Sequence, residues 1–377
     1  MNRGRRAAVG LVVVFLIGIT IKWQSLAFHF LPPSAEPGLL QKATKFPRLT
    51  EQEQLVASDA AEKQKVLSDW AVLLKWLSSV PPPDAEEVRE RLLATRTAWV
   101  QLDPQALASA IKELLESGVD AKTGLDFQVG LHGMLEGWPT LRVFLLDALA
   151  ISDPEMGKVI ASDLLDKTPS ADEFATGLRS LTRTGVARAT DTELLTRFDQ
   201  MLGHEDWQSA RGFAEAFDLT RFVGTTAAAR KLVAWNGNSE LRSMAMHEFT
   251  AEHPEAMLET LETDVSLESP DRACLVARAD PADPKQLGSV DDYLHRPNLT
   301  AEEADVFLNA FPLRSATTGY RLYGATPSPY TFEQIKSGDL AAGEIASRWR
   351  TDPALEKYRP QIQALQQRLE KWIEEAK

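Results

Sequence analysis

From about Thr50 onward, apolar residues recur every three or four positions with polar residues between them, the period of helices that bury one face. Val88, Leu92, Thr95 and Trp99 form one such stripe. Start signals precede the stripes. Thr50-Glu51-Gln52-Glu53, Asp84-Ala85-Glu86-Glu87, Ser170-Ala171-Asp172-Glu173, Thr190-Asp191-Thr192-Glu193 and Thr300-Ala301-Glu302-Glu303 each place a short oxygen-bearing side chain three residues before an acid. That arrangement satisfies free backbone N–H groups at a helix start. Asp103-Pro104, Asp153-Pro154 and Asp352-Pro353 mark starts in a second way, with Asp as the cap and Pro at the first helical position. No convincing run of alternating β-branched residues with hairpin turns stands out, so the pattern predicts an all-α protein.

The start signals are spaced. Asp103-Pro104 leads to Leu114-Leu115, and Asp153-Pro154 leads to Leu164-Leu165, both pairs offset by fifty positions. His253-Pro254 falls a further hundred on, preceded by Leu241-Arg242 at the distance that separates Leu141-Arg142 from Asp153-Pro154. The intermediate copy, near Gly203-His204-Glu205-Asp206, lacks the proline. Trp138-Pro139-Thr140-Leu141-Arg142, and Gly237-Asn238 followed by Ser239-Glu240-Leu241-Arg242, look like the turn and the Leu-Arg helix start of HEAT repeats. Trp207-Gln208-Ser209-Ala210-Arg211 is a looser match. Over roughly residues 84–270 the chain thus resembles HEAT-like α-solenoids and bacterial helical-repeat proteins, with a longer spacing than theirs. The resemblance implies stacked helices with an extended binding face and no active site.

Two regions break the rhythm. Residues 312–330 fit neither period and hold three of the chain's five tyrosines, Tyr320, Tyr323 and Tyr330. A long irregular loop in a compact domain is usually functional or mobile, and tyrosine suits interfaces. These three residues are therefore the candidate interaction loop, against the plainer reading of a loop pinned to the helices by its tyrosines. Beyond it, Leu355, Tyr358, Ile362, Leu365, Leu369 and Trp372 alternate at gaps of three and four. With Pro360 interrupting the first turn, this reads as a helix closing the end of the domain, ahead of a dimerising coiled coil.

The first 31 residues carry an address. Arg3, Arg5 and Arg6 precede an uncharged run from Ala7 to Ile21, the order of a secretory signal. The arginines stay on the cytoplasmic side, which sends the rest of the chain across the membrane. Cleavage after Ala27, in Ser25-Leu26-Ala27, would release the body to the periplasm. Alternatively the apolar helix continues from Ala7 to about Leu31, with Lys22 snorkelling, long enough for the roughly 20 residues a span needs. We prefer the uncleaved anchor: a single-pass inner-membrane protein with its C-terminal body outside the cytoplasm. The expected divisions are residues 1–31 (signal-anchor or signal peptide), 32–49 (a proline-rich linker), 50–311 (helical repeats), 312–330 (the tyrosine loop) and 331–377 (C-terminal helices).

Charge narrows the partners. Residues 1–31 hold four bases and no acid, so the remaining 37 bases face all 54 acids, a net charge of −17. Such a body repels phosphate backbones, which argues against nucleic acid. The single cysteine, Cys274, excludes an intramolecular disulfide and a cysteine zinc site. His247-Glu248-Phe249-Thr250-Ala251-Glu252-His253 is the nearest approach to a metal motif. Its histidines are six apart, about 600° around a helix, so their rings diverge. There is no nucleophile elbow and no phosphate loop, so no cofactor or metal is expected. Asn298-Leu299-Thr300 matches a glycosylation acceptor, but Thr300 is better explained as a cap.

The expectation is a non-catalytic protein-interaction scaffold of the bacterial cell envelope, binding a protein or peptide. The competing class is an envelope hydrolase using carboxylates on a helical scaffold. It draws on the acid excess and on nine tryptophans that could stack on sugars, although Trp70, Trp76 and Trp99 sit at core spacing.

Overall fold

A computed structural model describes residues 51–183, 188–264, 266–314, 320–325 and 330–375. The expected anchor, cleavage site and linker, and the Thr50 cap, lie outside these residues. The chain is mostly helical, 72% helix with few strands. Among the described residues no helix is long and apolar enough to cross a membrane.

The helices begin where short polar side chains can hold their free N–H groups. After α1 (Glu51–Leu77), Asp84 accepts from Glu87 N–H to start α2 (Ala85–Trp99), and Asp103 accepts from Gln105 and Ala106 to start α3 (Pro104–Glu116). A small antiparallel hairpin follows, β1 (Gln128–Val129) and β2 (Leu135–Gly137). Its turn passes through His132 (φ 56) and Gly133 (φ 68), two consecutive left-handed residues of the kind tight hairpins use. Thr140 then caps α4 (Leu141–Ser152), Asp153 caps α5 (Pro154–Leu165), Ser170 caps α6 (Ala171–Thr182) and Thr190 caps α7 (Asp191–Leu202).

Two short helices follow, α8 (Arg211–Glu215) and α9 (Asp218–Val223). Thr225 caps α10 (Thr226–Ala234) and Asn238 caps α11 (Ser239–Glu252). His253 joins α11 to α12 (Pro254–Thr263) without a side-chain cap, since its ring N–H is donated to the Arg221 carbonyl at 2.6 Å. α13 (Ser269–Val276), α14 (Pro284–Leu294, capped by Asp283) and α15 (Ala301–Ala310, capped by Thr300) lead into the tyrosine loop. A full capping box at Thr331 and Gln334 opens α16 (Phe332–Thr351). Asp352-Pro353 opens a 3-10 turn, and α17 (Arg359–Glu375) follows.

Helices pack on their next-but-one neighbours as well as on their next ones: α4 on α6, α9 on α11, α10 on α12, α11 on α13, α13 on α15 and α15 on α17. Leu355, Tyr358, Ile362, Leu365 and Leu369 are buried where α17 meets α15 and α16. Trp99, Trp138 and Trp349 are fully buried. Each donates its indole N–H to an aspartate, Asp69 at 3.1 Å, Asp147 at 3.0 Å and Asp291 at 2.7 Å respectively, so burial leaves no donor stranded. Asp147 is itself inaccessible and also binds Arg96 and Arg179.

Candidate functional site

The tyrosine loop re-enters the helices. Arg321, Leu322 and Tyr323 are 4%, 2% and 1% exposed, and three elements hold them. The Tyr323 hydroxyl donates to the Ala175 carbonyl of α6 at 2.8 Å, and Leu322 N–H donates to the Asp218 carboxylate of α9 at 2.6 Å. Gly133, at the hairpin turn, presses from the other side. A Cβ there would stand 2.7 Å from the Arg321 carbonyl oxygen and 2.9 Å from that of Leu322.

The three tyrosines consequently have different situations. Tyr323 is a buried strut, and burial pushes its hydroxyl pKa well above the usual phenol value. Tyr320, 49% exposed, stands at the rim of a pocket. Tyr330 is exposed and touches α11 through the Ala251 carbonyl at 3.4 Å.

The pocket encloses about 390 Å³ between the hairpin, α8, α9 and α11. Phe127, Phe217 and Tyr320 are aromatic members of its lining, and Arg211, Glu215, Asp218, Arg221 and Glu248 the charged ones. The helical period groups the charged residues: Arg211 and Glu215 lie one turn apart on α8, Asp218 and Arg221 on α9, and Glu248 and Glu252 on α11.

Arg221 is the hub. Its guanidinium pairs with Asp218, with Glu248 at 3.1 Å and with Glu252 at 3.7 Å. Arg321 covers Glu252 from the loop side, and Arg211 binds Glu215 at 2.7 Å. Burial dominates the titration of these groups. It pushes the Glu215 carboxyl upward against the opposing pull of Arg211, and it lowers the Arg221 guanidinium. Arg321 falls to about 10, through burial first and the neighbouring Arg221 second.

The histidines of the 247–253 segment serve other ends. His247 accepts the Arg278 Nε–H at 2.9 Å, and His253 holds the α9 backbone. Burial lowers both pKa values below 6.5. No group of histidine, cysteine, aspartate and glutamate side chains among the described residues could hold a metal ion.

Reading the sequence picked out Tyr320 but not Glu215, Asp218 or Arg221, and met Glu248 only inside the discounted metal motif. Their one-turn spacings are visible in the sequence, yet the same spacings occur on any solvated helix, and only the returning loop makes these inward-facing. Comparison with known proteins finds no family that matches the chain, no characterised protein similar to it and no solved structure that matches it.

Proposed function

We propose that the chain is a non-catalytic interaction protein of the cell envelope: a HEAT-like α-solenoid, held outside the inner membrane by its N-terminal helix, that binds a polypeptide at the face carrying the pocket. Next-but-one helix packing supports the solenoid part, since it is how successive repeats share one continuous core. One observation carries the binding part. The pocket has a rim of half-exposed Met244 and Tyr320 around charged groups already engaged with one another. Exposed Met and Tyr over a polar floor suit contact with another protein. Carboxylates held by guanidinium groups are poorly placed to exchange protons with a substrate.

A photo-crosslinking residue at position 320 or 244, activated in intact cells, is expected to trap one discrete polypeptide. The same residue at exposed position 302 should not. Equal labelling at all three positions, or none, removes the proposal. Export is tested separately: alkaline phosphatase fused after residue 377 should be active, and β-galactosidase at the same point inactive.

The hydrolase reading keeps one observation in its favour, the upward-shifted Glu215 in the same pocket as Glu248. Turnover of an envelope glycan that Glu215→Gln abolishes would establish it in place of the first.

A further inference from the structure

Eight charged side chains are buried among the described residues, and seven of them form ion pairs. Asp147 pairs with Arg96 and Arg179, Glu173 with Arg142, Asp218 with Arg221, Glu303 with Arg296, Arg321 with Glu252 and Asp339 with Arg314. The eighth is Arg272 of α13, 5% exposed, and it forms no ion pair with any described residue. A buried charge without a counter-ion is costly.

The surroundings of Arg272 leave its guanidinium open. Its one side-chain hydrogen bond among the described residues runs from Nη1 to the Leu261 carbonyl at 3.0 Å, in the last turn of α12, where helix carbonyls lack a partner of their own. Its Nε and Nη2 have no such bond, and neither is sealed from the surface. Asp264 does not touch it. The Asp264 carboxyl pKa is lowered first by the Ser266 hydroxyl, held at 2.6 Å, and last by the charge of Arg272.

Arg272 lines a cavity of about 280 Å³ between α12, α13 and α14, which shares no residue with the pocket at Tyr320. The other charged members of its lining are Arg296, Glu262 and Asp292. Arg296 is committed to Glu303 at 2.6 Å, and Glu262 accepts the Ser289 hydroxyl at 3.3 Å. Glu262 and Asp292 are both exposed. Arg272 is thus the one charged group of the lining that is both buried and unpaired. Leu258, Leu261 and Val276 supply apolar surface beside it.

A carboxylate matches this arrangement. The guanidinium fork offers two parallel N–H groups to a planar anion with two oxygens. Glu262 and Asp292 oppose an anion of higher charge, such as phosphate. We infer that the cavity binds a monocarboxylate with a short aliphatic body, its oxygens on Arg272 and its body against Leu258, Leu261 and Val276. A small organic acid and the free C-terminus of a polypeptide both carry that group. The site stands apart from the polypeptide-binding reading of the Tyr320 pocket.

The test uses the whole chain purified in detergent at pH 7, titrated by calorimetry with butyrate, butyramide, inorganic phosphate and acetyl-Ala-Ala with a free C-terminus. Butyramide keeps the shape of butyrate and removes its charge. Butyrate is expected to bind at least about ten-fold more tightly than butyramide, and more tightly than phosphate. Arg272→Met keeps the apolar stem and should abolish the preference for butyrate over butyramide. Saturating butyrate should raise the melting temperature of the parent protein and leave that of Arg272→Met unchanged. Glu262→Gln changes only an exposed position, so it reads the site whether or not Arg272→Met folds. It should tighten butyrate binding several-fold by removing a like charge.

Tighter binding of the dipeptide than of butyrate assigns the site to a polypeptide end, and the reverse assigns it to a small acid; both support the carboxylate site. Equal affinity for butyrate and butyramide, tighter binding of phosphate, or a butyrate preference that survives in Arg272→Met would overturn it. Absence of saturable binding by either carboxylate would also overturn it, and would leave Arg272 as a cap on the α12 carbonyl alone.

Discussion

Asp218→Ala removes the group on which the returning loop and the charged pocket both depend. Asp218 is 2% exposed; one carboxylate oxygen accepts the Leu322 N–H and the other faces Arg221. The alanine variant strands a buried N–H, worth about 1–3 kcal/mol. It also takes a carboxylate from a guanidinium that is 10% exposed. Arg221 retains Glu248 and Glu252, so this second loss falls below that of a fully abandoned buried charge. The two together should bring the destabilisation to about 3–5 kcal/mol.

Asp218→Asn divides the total. Its amide oxygen can still accept from Leu322 while the charge is gone, so it should recover about 1–2 kcal/mol of the loss. Urea denaturation of the three proteins measures both figures. Limited trypsin digestion adds a local readout, because Arg321 is 4% exposed and cleavage there requires the loop to lift. Asp218→Ala should speed that cut well beyond cuts elsewhere. A loss below about 1 kcal/mol, or an unchanged cleavage rate after Arg321, would refute the claim that Asp218 holds the loop.

Gly133→Ala combines a side chain at φ 68 with a Cβ 2.7 Å from the Arg321 carbonyl oxygen, and should cost about 2–4 kcal/mol by thermal or urea melting. A neutral result would mean that the hairpin does not press on the loop. Asp147→Ala leaves Arg96 and Arg179 buried without their shared carboxylate and should cost about 3–5 kcal/mol in the same assay. Tyr323→Phe keeps the ring and drops the bond to Ala175, a loss of about 1 kcal/mol. The buried histidines set an acid limit. His247 and His253 have folded-state pKa values below 6.5, so as pH falls beneath 6.5 the unfolded chain takes up protons that the folded chain refuses, and stability is lost. Each contributes a slope of at most about 1.4 kcal/mol per pH unit, and His253→Gln should remove one share of it from stability measured between pH 7 and 5.

Local chemistry was the legible part of this chain. Asp84, Asp103, Asp153, Ser170, Thr190 and Thr300 could be recognised as helix starts because a cap and its N–H donors lie within three residues of each other. The hairpin escaped notice because strands of two and three residues are too short to show an alternating period. Its glycines Gly130, Gly133 and Gly137 were its clearest trace. Asp352-Pro353 gave the expected start, but of a 3-10 turn rather than directly of an α-helix. The pocket was illegible for a different reason. Glu215 and Glu248 look like ordinary surface acids until residues 320–323, far along the chain from both, return to the same pocket, and no local spacing encodes that return.

The loop that ties Tyr323 to Ala175 bridges 148 positions, and the bond from Leu322 to Asp218 bridges 104. Contacts of such range form late, since the entropy of closing the intervening chain must be met before they contribute. A stack of helices with neighbour contacts alone unravels from its ends, one unit at a time. Here the bridge fastens α6, α9, α11 and the hairpin to one another, so this stretch should open as a single cooperative block in hydrogen exchange. Synthesis runs from the N-terminus, so helices α1 to α15 emerge before the residues that roof the pocket. The pocket is therefore complete only once residue 323 has been made and has found its place, and a chain stopped short of it would carry most of the helices and an unfinished cavity.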